Sequence, residues 1–188
     1  VIGMKPQQAP VELKMKNIFV APSYSYTAVE FSGMTVQKEI VTPEMGRSET
    51  MNQAGTMDAK EMSPDDLEAK HLTVGPFPEV NILSGKIKAE LLGMEETNNR
   101  TFYVVEYTND QTTTRAYYDK DDFFKRQTES LTATEEGPQE ANSSYSDFRK
   151  VKKIYFPFKI VQFMGSASFD ATTKELEVNG KVDMEIFK

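Results

Sequence analysis

Apolar and polar residues in this chain alternate every two positions more often than every three or four, the period of strands with one face toward water. In 86–92, Ile87, Ala89 and Leu91 fall on one side and Lys86, Lys88 and Glu90 on the other. In 101–108, Tyr103, Val105 and Tyr107 oppose Phe102, Val104 and Glu106, so both faces carry apolar groups. Asn109-Asp110 is a hairpin turn pair before a Thr- and Tyr-rich strand at 112–118, and Asp119-Lys120-Asp121-Asp122 is the turn before a strand at 123–132. Beyond the break at Glu135-Glu136-Gly137-Pro138, strands are predicted at 143–151 and 154–163, then a last pair at 168–173 and 174–178. Pro157 removes a ladder donor, which predicts an edge strand or a bend there.

The first half alternates less regularly. Strands are predicted at 23–31, 35–41 and 47–53, divided by Ser32-Gly33 and by 43–46. The segment 11–18 reads as a short helix with Pro10 in its first turn, although Val11, Leu13 and Met15 also alternate. A cleaner helix starts at Ser63: its hydroxyl can cap, Pro64 suits the first helical position, and Asp65 and Asp66 sit at the positive end of the dipole. That helix is expected to run to about His71, ahead of an extended apolar loop at Gly75-Pro76-Phe77-Pro78. The sum is a mainly β (α+β) chain of about nine to ten strands and one or two short helices, joined in hairpin order. An antiparallel sheet or open barrel around a small helical plug follows, as one domain over 1–188 without repeat or internal linker.

Composition narrows the chemistry. The chain has 188 residues, no Cys, no Trp, one His and a net charge of −7. Without Cys there is no thiol catalysis, cysteine-bound zinc, iron–sulfur cluster or disulfide framework, and one His removes most zinc-hydrolase and Ser-His-Asp schemes. The acidic balance argues against a nucleic-acid partner. No stretch has the apolar length of a membrane-spanning helix. The chain begins at Val1, which fits a processed mature form or a piece of a longer precursor.

Individual motifs point away from catalysis. Asp119, Asp121 and Asp122 lack the central Gly and distal Glu of a calcium loop. Gly165-Ser166-Ala167-Ser168 lacks the second Gly of a nucleophile elbow, and Gly85-Lys86 has no phosphate-loop Gly before it. His71 reads as a residue at the negative end of its helix, and Glu95-Glu96 and Glu135-Glu136 as acidic turns. No metal or cofactor is implied. The methionines of the first half, among them Met15, Met34, Met45, Met51, Met57, Met62 and Met94, either fill a core or line a site for variable apolar ligands. A filled core is the commoner reason for such methionines; strands apolar on both faces add some weight to the second reading, because a sheet with one solvated face does not need them.

A series of landmarks occurs in order: Val1-Ile2-Gly3, Gly33-Met34-Thr35-Val36-Gln37-Lys38, Pro76-Phe77-Pro78-Glu79, Ala116-Tyr117-Tyr118-Asp119, Tyr145-Ser146-Asp147-Phe148, Ile154-Tyr155-Phe156-Pro157-Phe158-Lys159-Ile160 and a segment from Asp183 to Phe187-Lys188. Together they resemble the LolA-like outer-membrane lipoprotein-sorting domains of Bacteroidetes-type bacteria, which occur alone or C-terminal to insulinase-like zinc proteases. The resemblance spans essentially the whole chain, and its most specific part is Phe156-Pro157-Phe158-Lys159-Ile160. It implies an antiparallel half-barrel whose concave face is capped by helices and holds acyl chains, in a periplasmic or outer-membrane-associated, non-enzymatic binding module. The expected partner is an apolar ligand or lipoprotein acyl chain. The expected inward-facing residues are Met34, Val36, Ile87, Leu91, Tyr103, Val105, Phe156 and Phe158. The alternative is a non-catalytic docking domain of an insulinase-like protease in the same precursor. The two-histidine zinc motif is absent from this chain, and the N-terminal segment departs from the family's longer helix and Gly-Gly.

Overall fold

A computed structural model describes residues 2–6, 12–77, 79–109, 112–134, 137–165 and 167–188. Within them, thirteen strands form one antiparallel sheet that is not closed into a barrel. The first six are β1 (Ile2–Pro6), β2 (Leu13–Val20), β3 (Tyr24–Phe31), β4 (Met34–Val41), β5 (Gly46–Met51) and β6 (Met57–Glu61). Two helices follow, α1 (Pro64–Thr73) and α2 (Glu79–Leu83). The remaining strands are β7 (Lys88–Thr97), β8 (Arg100–Asn109), β9 (Thr112–Asp119), β10 (Lys125–Thr132), β11 (Gln139–Val151), β12 (Ile154–Met164) and β13 (Ala167–Thr173). A 3-10 turn covers Met184–Phe187.

Across the sheet the order is β6-β5-β4-β3-β2-β1-β13-β12-β11-β10-β9-β8-β7. Two meanders therefore meet in the middle, where Ile2 lies opposite Thr173 and Pro6 opposite Phe169. The outermost strands, β6 and β7, are neighbours in sequence, so the connection holding α1 and α2 must travel from one edge of the sheet to the other.

Local chemistry sets the turns. A two-residue hairpin loop needs left-handed backbone at both central positions, which suits Asn and Gly. Ser32-Gly33 (φ 51° and 84°) and Asn98-Asn99 (φ 53° and 60°) both meet this condition. The Asp119 carboxylate accepts the Asp121 N–H at 3.0 Å and the Asp122 carboxylate that of Phe124 at 2.9 Å, so these acids shape the turn between β9 and β10. At α1, the Ser63 hydroxyl accepts the Asp66 N–H at 3.1 Å, and the helix continues two residues past His71.

The structure differs from the sequence reading in several places. Residues 13–18, predicted as helix, belong to β2, which pairs with both β1 and β3; the alternation of Leu13 and Met15 with Lys14 and Lys16 outweighs the proline signal. Pro10 and Val11 lie outside the described residues, as do Asp110, Glu135, Glu136 and Ser166 of the predicted turns. Residues 174–178 are irregular, because both sides of β13 are already taken by β1 and β12. Ile2–Pro6, Leu13–Val20 and Met57–Glu61 are strands that the pattern did not disclose, and the structure has thirteen strands against the nine to ten expected. Pro157 lies in an interior strand, yet β13 pairs with β12 only from Lys159 onward, so among the described residues no strand pairs with that side at Pro157.

Both faces of the sheet are covered in part. On the convex face the C-terminal segment lays Phe187, 5% exposed, against Tyr24 of β3 with ring centroids 5.3 Å apart. Alternation puts Tyr26 and Ala28 on that same face, and Ile40 of β4 opposite Tyr26; Ala28 and Ile40 are buried. Phe187→Ala is expected to cost about 3–5 kcal/mol by removing a buried ring. Urea denaturation monitored by circular dichroism measures it; a loss below about 1 kcal/mol would show that the segment is not part of the cooperative fold.

Candidate functional site

The concave face is defined by what the helical connection touches. The α1 ammonium of Lys70 lies 2.7 Å from Glu39 of β4, and His71 Nε2 lies 2.9 Å from the Thr42 carbonyl just beyond that strand. His71 thus anchors α1 to the sheet, a tertiary role that sequence position alone did not show. Between the helices, the Phe77 ring meets Phe156 of β12 with centroids 5.3 Å apart. Gly75 sits directly over Phe19 of β2: a Cβ on it would come within 3.1 Å of the ring, and its φ of +113° is left-handed. In α2, the Glu79 carboxylate accepts from the Tyr118 hydroxyl at 3.0 Å and from Lys125 Nζ at 2.5 Å. The connection thus touches β2, β4, β9, β10 and β12.

Register then assigns side chains to this face. Six of the eight residues predicted to line a cavity lie on it: Met34, Leu91, Tyr103, Val105, Phe156 and Phe158. Phe156 and Phe158, each 8% exposed, are covered by Phe77 and by the Arg149 guanidinium, 4.6 Å from the Phe158 ring centroid. They form the floor on which the connection rests. Met34 and Leu91, 56% and 61% exposed, are open to solvent. Val36 is the extra residue of a bulge between the pairs Val29–Gln37 and Glu30–Thr35. Ile87 precedes β7 and is buried, its N–H donating to the Asn81 carbonyl at 3.1 Å.

The same surface has further members, of which sequence reasoning named only Met94, as one methionine of a possible apolar site. Phe19 and Phe31 fall on the concave side of β2 and β3, and Met94 on that of β7; all three are exposed. Phe123 stacks on Tyr103, and Val80 and Leu83 of α2 are exposed. The alternation in 13–19 would have placed Phe19, had the segment been read as a strand. The result is a concave surface on which large apolar side chains meet water at both sides of the helical connection. Isolated exposed apolar residues are ordinary, but several on one recessed face mark a surface for an apolar partner.

The electrostatics of the pin at α2 are those of a half-buried ion pair. Burial raises the Glu79 pKa, but the Lys125 ammonium, with the bonds to Glu79 from Lys125, its own backbone and Tyr118, outweighs it and holds the carboxyl below its usual value. Burial, and then the Glu79 charge, push the Tyr107 hydroxyl up to about 12 and raise that of Tyr118 strongly. Tyr107 and Tyr118 therefore remain neutral hydrogen-bonding groups across the physiological range. Among the described residues no group of three or more His, Asp or Glu side chains is placed to hold a metal ion.

The architecture is an open antiparallel half-barrel with a helical connection laid across its concave face. It is the fold seen in LolA-type proteins: a LolA superfamily protein from Nitrosomonas europaea superposes with a TM-score of 0.61 at 13% identity, over 100% of this chain and 86% of that one. A DUF1329 family protein from Desulfovibrio piger gives a TM-score of 0.62 at 9% identity, again over 100% and 86% of the two chains. No protein-family model matches the sequence, and no curated relative does.

Two outcomes test this geometry. Gly75→Ala is expected to cost about 1–3 kcal/mol, from left-handed strain together with the approach to Phe19, as measured by chemical denaturation. Because the folded-state pKa of Glu79 lies below its ordinary 4.5, its ionised form favours the folded state. That stabilisation is complete above pH 4.5 and is lost as pH falls through the lowered folded value. Glu79→Gln should therefore be less stable than the wild type at pH 7, and the gap should close in acid; a gap independent of pH would contradict the assignment.

Proposed function

We propose that this protein is a non-enzymatic binding module that holds a lipid, a lipoprotein acyl chain or another apolar ligand against the concave face of its half-barrel. The observation that carries the reading is the set of solvent-exposed apolar side chains on that face, Phe31, Met34, Leu91 and Met94, which the helical connection leaves uncovered, with Phe19 partly exposed at its border under Gly75. Burying one such side chain yields about 1.5–3 kcal/mol, so a few of them suffice for micromolar binding of an acyl chain. The shared fold with a LolA superfamily protein supports the same reading, and the sequence resemblance to lipoprotein-sorting domains points to the periplasm or outer membrane as the place of action. Among the described residues no helix is long and apolar enough to cross a membrane.

The neutral fluorescent probe N-phenyl-1-naphthylamine, added to delipidated protein, should bind saturably and be displaced by a single-chain lipid. Because Met34 and Leu91 are exposed, Met34→Asp with Leu91→Asp should leave the melting temperature nearly unchanged while weakening probe binding at least about tenfold. Saturable binding that survives both substitutions would move the ligand elsewhere. No uptake would overturn the reading and leave the docking role that the sequence resemblance also implies.

A further inference from the structure

The concave face has two chemistries. Its β2–β4 side and its β7 edge carry exposed Phe and Met or Leu and Met, whereas the stretch from β9 to β11 carries hydroxyls in cross-strand pairs. Thr112 and Thr132 lie 2.9 Å apart, Thr114 and Ser130 3.0 Å, and Thr128 and Tyr145 3.2 Å. Register puts all six on the concave side, in line with Tyr118 of the α2 pin and leading away from it along the strands. Thr112, Ser130 and Thr132 are only half-buried. A hydroxyl offers one donor and two acceptor lone pairs, so although the buried Thr114 also bonds the Tyr107 hydroxyl, the half-buried Thr112, Ser130 and Thr132 keep unused capacity on the concave side.

Among the described residues, the cations that register places on this side of β8–β12 are already paired. On the concave side of β8–β12 register places Lys125 and Arg149 among the described residues; Lys125 is held by Glu79 at 2.5 Å and Arg149 by Asp147 at 2.6 Å. The buried Oδ1 of Asn109, at the β8 end of the same wall opposite Thr112, meets no donor among the described residues. A carboxylate or phosphate brought here would lose water without gaining a free counter-charge, while an uncharged hydroxyl would find both donors and acceptors.

We propose that the ligand is an uncharged amphiphile: an acyl chain lying on the apolar side, with a hydroxylated head group, glycerol or sugar, hydrogen-bonded to the Thr112, Ser130 and Thr132 wall. This rests on the binding reading above and adds the head-group class to it. The test is displacement of N-phenyl-1-naphthylamine from the intact chain by four lipids with the same sixteen-carbon chain: monopalmitoylglycerol, hexadecyl glucoside, palmitate and palmitoyl lysophosphatidic acid. The expected result is that at least one uncharged lipid binds about tenfold more tightly than both anions, the equivalent of one or two added hydrogen bonds. The order of the glycerol and sugar lipids then names the source of the head group. Ser130→Ala alone, and together with Thr132→Val, should abolish that preference while leaving affinity for the probe itself unchanged; the milder single variant guards against a folding defect in the double one. Equal or tighter binding of the anions, or a preference that survives both variants, overturns the head-group assignment and leaves the binding module standing. Failure of the probe and of all four lipids overturns both.

Discussion

Everything distinctive in this molecule follows from one constraint: a sheet that does not close must leave two edges and a hollow face, and the chain has to cross that hollow to get from one edge to the other. The edge strands β6 and β7 are consecutive in sequence, so the crossing is made by a single connection. Its contacts are spaced across the sheet and differ in kind: an ion pair and a His71 bond at β4, a glycine over Phe19 at β2, ring packing on Phe156 at β12, and the Glu79 pin at β9 and β10. Fastened at such points, the connection fixes the curvature of the sheet without filling the hollow.

The polar pin matters for the same reason. A helix as short as α2 has little stability of its own and depends on its tertiary anchor. Glu79 sits at its first position, where the helix end also favours a carboxylate, and its partners come from two different strands. The ion pair is therefore a positional device more than a source of stability, since much of its attraction offsets the desolvation of the two charges.

Most strands were legible because their signals are local. Alternation marked β7 and β8, Thr and Tyr content marked β9, and Ser63-Pro64-Asp65-Asp66 announced α1. The misread segment at 13–18 shows where local signals compete: a preceding proline suggested a helix, and only pairing with β1 and β3 on either side decides for a strand. The candidate site was legible in kind but not in detail. Period two placed Tyr103 and Val105 on one face, but it cannot separate Phe156, sealed beneath Phe77, from Leu91, open to water. Nor could the Glu79 pin be read, because Tyr118 and Lys125 reach it through the topology and not through spacing along the chain.

The seam between β1 and β13 has a consequence for the order of assembly. Each meander is built from hairpins whose partners are close in sequence, so either can form as soon as its own residues are available. The seam instead joins Ile2 to Thr173, nearly the full length of the chain apart, and carries the largest loop-closure entropy in the sheet. Until it forms, β1 and β13 each present an unpaired edge, and the two half-sheets are free to pair with other chains. The hollow that suits the finished protein to an apolar guest is thus completed by the slowest kind of contact the sheet contains.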